Sequence, residues 1–215
     1  MQRGLETPDQ LGANRETPGI PEIKVVVVGD GGCGKTSLLM VFAKGDFPKV
    51  YIPTVFEKYS APFRINDKQV NISLWDTAGQ DDYDRLRPLS YNGAHAVIMC
   101  YDVTSPASFN NILTKWYPEV NHFCRGIPLL LVGCKTDLRK DKVLLRRLHQ
   151  DQIEPITYRE GENMARNLHA VAYLECSARF HENIIDIFTE ASRAALSTMK
   201  KKKRRRKPKR TCLLS

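Results

Sequence analysis

One stretch constrains this chain more than any other: Gly29-Asp30-Gly31-Gly32-Cys33-Gly34-Lys35-Thr36. It follows the apolar run Ile23-Lys24-Val25-Val26-Val27-Val28 and precedes Ser37-Leu38-Leu39-Met40-Val41-Phe42-Ala43, which has a helical pattern. A complete G-x-x-x-x-G-K-T spacing between a strand and a helix is the context of a phosphate-binding P-loop. Glycines let backbone N–H groups close around phosphate oxygens, and the helix N-terminus adds partial positive charge. Lys35 can reach the β- and γ-phosphates, and the Thr36 hydroxyl can ligate Mg²⁺. Gly29, Asp30, Gly31, Gly32, Cys33, Gly34, Lys35, Thr36 and Ser37 are therefore the first candidate binding residues.

Alternating elements surround this loop. Ile23–Val28 is a β-branched run of the kind buried on both faces of a parallel sheet. Residues 56–65 and 69–75 can pair as a hairpin around Asn66-Asp67-Lys68. Residues 94–102, 128–132 and 171–175 read as further strands. Ser105-Pro106 starts a helix, with Ser as N-cap and Pro at the first position. That helix carries Phe109, Ile112, Leu113 and Trp116 at helical spacing. Residues 138–155 are charged and helix-prone, and 158–168 and 183–199 are predicted helices, the last presenting Ile184, Ile187, Phe188, Ala191, Ala194 and Ala195 inward. Strands alternating with helices predict a three-layer α/β fold with a mostly parallel sheet.

Charge is distributed unevenly. The net charge is +9, but residues 200–210 hold ten of the 33 basic residues, leaving 23 basic against 24 acidic elsewhere. The basicity belongs to a tail, which argues against a broad or specific nucleic-acid-binding face. Residues 1–22 have no periodicity and read as a flexible extension. No run approaches the ~18 apolar residues of a membrane span, and no signal peptide is visible, so a cytosolic chain is expected. The six cysteines form no C-x-x-C pair and read as reduced thiols, with Cys100, Cys134 and Cys176 at the ends of apolar runs.

Two further motifs lie at strand ends. Asp76-Thr77-Ala78-Gly79-Gln80 follows the second hairpin strand, and Asp76 suits a water-mediated Mg²⁺ partner. The Gly79 N–H can turn toward a γ-phosphate, and Gln80 can position a water. Cys134-Lys135-Thr136-Asp137 follows a later strand. A carboxylate there can accept two hydrogen bonds from a guanine edge, and a Lys alkyl chain can cover the base plane. Cys176-Ser177-Ala178 can offer a backbone N–H to the base oxygen.

These residues are similar to those of the Ras superfamily of small GTPases and, within it, the Rho family, over about residues 23–198 and the C-terminus. The Rho-type marks are Tyr51-Ile52-Pro53-Thr54-Val55-Phe56-Glu57, the run from Trp75 to Leu89, and Trp116-Tyr117-Pro118-Glu119-Val120. The P-loop string and Cys134-Lys135-Thr136-Asp137 resemble the Rif and RhoD subgroup. Phe123-Cys124-Arg125-Gly126-Ile127-Pro128 and Thr211-Cys212-Leu213-Leu214-Ser215 lean towards one branch of that subgroup.

The resemblance implies a P-loop NTPase G domain over 23–198, with six strands, helices on both faces and a Rho-type insert helix near 138–154. Residues 199–215 form a polybasic tail ending in a prenylation motif. By position, Lys35 and the loop amides hold phosphates, Thr36 and Thr54 ligate Mg²⁺, and Asp76 stands behind them through water. Gly79 contacts the γ-phosphate and Gln80 orients the attacking water, with Gly31 and Lys35 completing the catalytic set. Phe47 packs near the base and Tyr51 near the phosphates. Lys135 and Asp137 select guanine, and Leu138, Ser177, Ala178 and Arg179 complete the nucleotide-binding set. Switch I spans 46–58 and switch II 78–92.

The expected cofactor is Mg²⁺ with GTP or GDP. Expected partners are exchange factors, GTPase-activating proteins and formin-type effectors acting on a monomer. One departure stands out: Cys134 occupies a position that usually holds Asn or Thr, and a thiol is a weaker hydrogen-bond partner. Cys212-Leu213-Leu214-Ser215 fits C-a-a-X lipidation, and the basic run supplies a second membrane signal toward anionic lipids. Taken alone, that run also reads as a nuclear-import segment. Two other functions stay open from sequence: a GTP-bound scaffold without hydrolysis, against which Gly31 and Gln80 argue, and a P-loop kinase or ATPase, against which Lys135 and Asp137 argue.

Overall fold

The computed structural model describes residues 19–50, 52–65 and 67–206. Tyr51, Cys212 and the C-a-a-X motif lie outside the described residues. Six strands form one sheet in the order β2-β3-β1-β4-β5-β6. They are β1 (Glu22–Gly29), β2 (Phe56–Ile65), β3 (Lys68–Thr77), β4 (Ala96–Asp102), β5 (Leu129–Cys134) and β6 (Ala172–Cys176). Only the β2–β3 pair is antiparallel, closed through Ile65↔Lys68; all other neighbours are parallel.

The helices are α1 (Lys35–Lys44), α2 (Pro106–Asn111), α3 (Tyr117–Phe123), α4 (Lys142–Gln150), α5 (Tyr158–Asn167) and α6 (Ile184–Arg206). β1 shows why both faces are covered. Val25 and Val27 pack into a cluster with Leu38 and Leu39 of α1 and Ile187, Phe188 and Ala191 of α6. Val26 and Val28 pack into a second cluster with Ile112, Trp116, Val120 and Ala165. Each fully buried Val, Ile or Leu contributes about 1.5–3 kcal/mol of transfer free energy, so these two layers fix the central strand.

Local signals act as expected at several ends. The Ser105 hydroxyl accepts from Ser108 N with Pro106 at the first position. A signal the sequence reading did not use adds to these: Thr157 and Glu160 form a reciprocal capping box at α5. Gly45 ends α1 in the left-handed region.

Three expectations are corrected. Leu113 is not a core residue but 51% exposed, because Ile112–Trp116 is a π-helical turn and the wider turn keeps only Ile112 and Trp116 inward. The charged segment is not one helix: Thr136–Lys140 is a 3-10 turn, and Asp141 then caps α4 by accepting from Val143 N and Leu144 N. The final helix does not stop at Met199 but continues to Arg206, since Lys and Arg are good helix formers and nothing there breaks the turn. No helix among the described residues is long and apolar enough to cross a membrane.

The sheet order also positions the site. β1 pairs with β3 on one side and β4 on the other, so chain connections diverge at its C-terminal end. Such a divergence opens a crevice beyond the strand ends. The P-loop, the end of β3 and the ends of β5 and β6 all open onto it.

Candidate nucleotide site

The P-loop leaves β1 at Gly29 and enters α1 through Gly34, whose φ of 114° lies in the left-handed region. A Cβ on Gly34 would stand 3.1 Å from Cys134 Cβ, so the loop rests directly on the end of β5. Lys35 is buried, and its Nζ donates to Gly29 O at 2.7 Å and Asp30 O at 2.8 Å. The ammonium is thus folded back across the mouth of the loop that the amides form. The outer rim is tied down separately. The Asp30 carboxylate accepts from Trp116 Nε1 and from Asn111 Nδ2, each at 2.7 Å.

A cluster of oxygens lies beside the loop. Thr36 Oγ1 donates to Asp76 Oδ2 at 2.6 Å and stands 2.7 Å from Thr54 Oγ1. Asp76 is fully buried, and its Oδ1 has no hydrogen-bond partner among the described residues. Burial pushes its carboxyl up to about 6, against the Thr36 hydrogen bond and the Lys35 charge, which pull it down. A buried carboxylate oxygen without a partner is costly, and a cation or its water removes the cost. Two hydroxyls beside a carboxylate form a hard oxygen set that suits Mg²⁺. The residues present therefore fit the metal.

The segment after β3 closes the phosphate side. A Cβ on Gly79 would lie within 2.5 Å of Gly29 O, Asp30 C and Gly31 N, so only glycine permits this approach. A Cβ on Gly31 would meet only Gln80 Cγ, at 3.6 Å, which puts the Gln80 side chain across the open face of Gly31.

What holds this segment is Arg87, a residue to which sequence reasoning assigned no role. Its guanidinium is buried and donates to both Glu119 oxygens at 2.7 Å, to Asp84 Oδ1 at 2.5 Å and to Ala78 O at 3.0 Å. Burial opposes its charge, yet the carboxylates of Glu119 and Asp84 hold it above the usual guanidinium range. It also sits 4.4 Å from the Trp116 ring centroid. Trp116 therefore touches both Arg87, which anchors the segment after β3, and the rim of the P-loop.

On the other side, a cavity of about 180 Å³ is lined by Gly34, Ser37, Phe47, Cys134, Lys135, Asp137, Leu138, Cys176, Ala178 and Arg179. It adjoins a cleft of about 870 Å³ that runs past Gly32, Lys35, Thr36, Thr54, Gly79 and Gln80. Lys135 has a φ of 66°, and its Nζ pairs with Asp102 Oδ2 at 2.8 Å. Asp137 Oδ1 accepts from Ser177 Oγ at 2.7 Å. Of the sequence candidates, Tyr51 alone among the nucleotide-binding set falls outside the described residues.

Cys33, Cys100, Cys134 and Cys176 are free and buried behind the loop, as expected of reduced thiols. Cys33 Sγ donates to Cys100 O at 3.5 Å, and Cys176 Sγ to Cys134 Sγ at 4.0 Å. Burial pushes Cys33 up to about 12, so it stays a neutral thiol. Asp102 and Asn111 lie in no quoted motif, and Arg87 lies inside the Rho-type run without a role of its own; each acts through a partner far away in sequence.

A P-loop, an Asp-x-x-Gly strand end and two base-side loops on a six-stranded, mostly parallel sheet define a Ras-type G domain. The family model for the Ras family matches residues 24–197, and the chain belongs to that family. It is 59% identical over 197 residues to human Rho-related GTP-binding protein RhoF, covering 92% of this chain and 93% of that one. Identity to human RhoD is 58% over 192 residues, covering 89% and 91%. GTP-binding protein RHO1 of Candida albicans is 50% identical over 184 residues, covering 86% and 93%. The chain is thus a Rho-type small GTPase, similar to both members of the subgroup that the motifs indicated.

Proposed function

We propose that this GTPase is a membrane-anchored signalling switch that loads Mg²⁺ with GTP or GDP and passes its GTP state to effectors of the actin cytoskeleton. The observation that carries the metal part is the oxygen cluster of Thr36, Thr54 and Asp76 with its orphaned Oδ1. Mg²⁺ held here would supply neutralisation of phosphate charge. Thr36 and Thr54 would hold it, with Asp76 behind them through water. Lys35 swings from the carbonyls of Gly29 and Asp30 to the phosphates. Asp137 accepts from the guanine edge, Lys135 covers the base, and the Ala178 N–H donates to the base oxygen; Phe47 borders the base, with Leu138 and Arg179.

Hydrolysis in such a site consists of positioning and charge stabilisation. Gln80, lying over Gly31, orients the attacking water. Arg87 is committed to Glu119 and Asp84 and Arg139 to Glu175, so neither is available to the transferring phosphoryl group. In this reading an activating protein supplies an arginine worth about 10³–10⁵ in rate. Loss of the γ-phosphate releases Thr54 and Gly79, and both switch loops loosen. Exchange factors act on that loosened state, and formin-type effectors read the ordered one.

The tail is the second half of the proposal. Lipidated Cys212 and residues 200–210 together hold a monomer at the cytoplasmic face of the plasma membrane, with a cytosolic fraction. One lipid chain anchors only marginally, and each nearby Lys or Arg adds about 1 kcal/mol on an anionic leaflet. Imaging and fractionation of Cys212→Ser test this: release from membranes is expected, and unchanged membrane retention overturns the anchoring.

A further inference from the structure

Two short loops carry the groups set against the base. One follows β5 and bears Lys135 and Asp137; the other follows β6 and bears Ser177 and Ala178. The Ser177–Asp137 hydrogen bond is their inner link. A second link lies just outside it. Two residues beyond Asp137 stands Arg139, and two residues before Ser177 stands Glu175. Arg139 Nη1 donates to Glu175 Oε2 at 2.5 Å and Nη2 to Oε1 at 2.7 Å, a two-pronged pair. Arg139 Nε also donates to Ile156 O at 3.0 Å. Glu175 Oε1 accepts a further bond from Tyr173 OH at 2.7 Å, and that hydroxyl lies 2.6 Å from Tyr101 OH. The pair therefore ties the β5 loop to β6, to the chain before α5 and, through the tyrosines, to β4.

Neither Arg139 nor Glu175 lines the base cavity. Both are largely buried, with side chains 25% and 11% exposed. A buried ion pair is weak evidence for stability, because desolvation offsets attraction. What the planar guanidinium fork supplies is fixed relative geometry. Here it fixes the 3-10 turn that carries Asp137 against the strand end that carries Ser177.

We infer that Arg139, paired with Glu175, is a positioning residue for base recognition: it acts through Asp137 and sets how well that carboxylate meets the guanine edge. The inference rests on the guanine reading of Asp137 given above. It differs from a general stabilising role in one respect. Guanine offers Asp137 two donors, N1–H and the exocyclic amine, whereas hypoxanthine offers only N1–H. A misplaced Asp137 loses more with guanine.

The test uses the full chain with Mg²⁺ and measures dissociation of GDP and of IDP from wild type, Arg139→Gln, Glu175→Gln and the double variant. Arg139→Gln is expected to speed GDP release about tenfold and IDP release threefold or less, as loss of a charge-assisted bond implies. The GDP-over-IDP discrimination then shrinks. The double variant is expected to match the singles rather than their product, since both remove one interaction. Arg139→Lys should restore only part of the discrimination, because a single ammonium cannot grip both oxygens. Should Arg139→Gln fail to fold, Glu175→Gln provides the same readout. Equal acceleration of GDP and IDP release, or none, overturns the inference while leaving the guanine reading intact. A wild-type protein that does not discriminate GDP from IDP overturns the guanine reading and this inference with it.

Discussion

Gly79→Ala is the smallest change that sets the two halves of the phosphate site against each other. The added methyl would lie within 2.5 Å of Gly29 O, Asp30 C and Gly31 N, all backbone atoms of the P-loop. Those atoms cannot turn aside as a side chain would. Gly29 ends a strand paired on both sides, and Asp30 is held by Trp116 and Asn111. The segment that begins at Ala78 must move instead, pulling Gly79 N–H away from the γ-phosphate position. Overpacking at a tight contact costs roughly 1–3 kcal/mol. On the proposal that loss of the γ-phosphate releases Gly79, the cost falls on the GTP state and lowers the GTP-over-GDP preference by about 5- to 150-fold. The assay is the ratio of dissociation constants for a slowly hydrolysed GTP analogue and GDP, with the melting temperature of the GDP form as control. A ratio within twofold of wild type would refute the claim that Gly79 senses the γ-phosphate by close approach.

Other substitutions probe the remaining parts. Gly31→Val and Gln80→Leu should each hold the GTP state, and normal activator-stimulated turnover in both would refute the assignment of Gln80. Thr36→Asn replaces the hydroxyl that joins Thr54 and Asp76; GTP affinity and its Mg²⁺ dependence should both fall, and unchanged GTP affinity counts against the metal role. Cys134→Thr adds a stronger hydrogen-bonding group where β5 meets Gly34, so GDP release measured with a fluorescent nucleotide should slow; equal rates would sink the idea that the thiol braces the loop weakly. Arg87→Ala leaves Glu119 without its buried partner, a loss of about 3–5 kcal/mol. At about 2–4 °C per kcal/mol for a chain of this size, calorimetry should show melting roughly 6–20 °C lower.

Much of this was legible in the chain because the informative residues are local. Ile23–Val28 reads as a buried strand from its own composition, and Ser105-Pro106 announces a helix start by its chemistry. The loops after β1, β3, β5 and β6 were legible because each sits at a strand end with its residues adjacent in sequence. The braces were not. Asp30–Trp116, Arg87–Glu119, Lys135–Asp102 and Arg139–Glu175 each join positions more than 30 residues apart, and an isolated Arg or Asp leaves no periodic mark. Leu113 was misread because a π-helical turn breaks the helical period on which the reading relied. The end of α6 was misread because a run of Lys and Arg signals charge, while helix continuation needs only the absence of a breaker.

The central claim is that one site, assembled from Lys35, Thr36, Thr54, Asp76, Gly79 and Gln80, hydrolyses GTP. Single-turnover phosphate release from GTP-loaded protein with Mg²⁺ tests it most directly, comparing wild type with Gln80→Leu. The geometry predicts slow, complete, Mg²⁺-dependent release from wild type and little or none from the variant. Equal release from both, or release unaffected by removing Mg²⁺, would contradict the account.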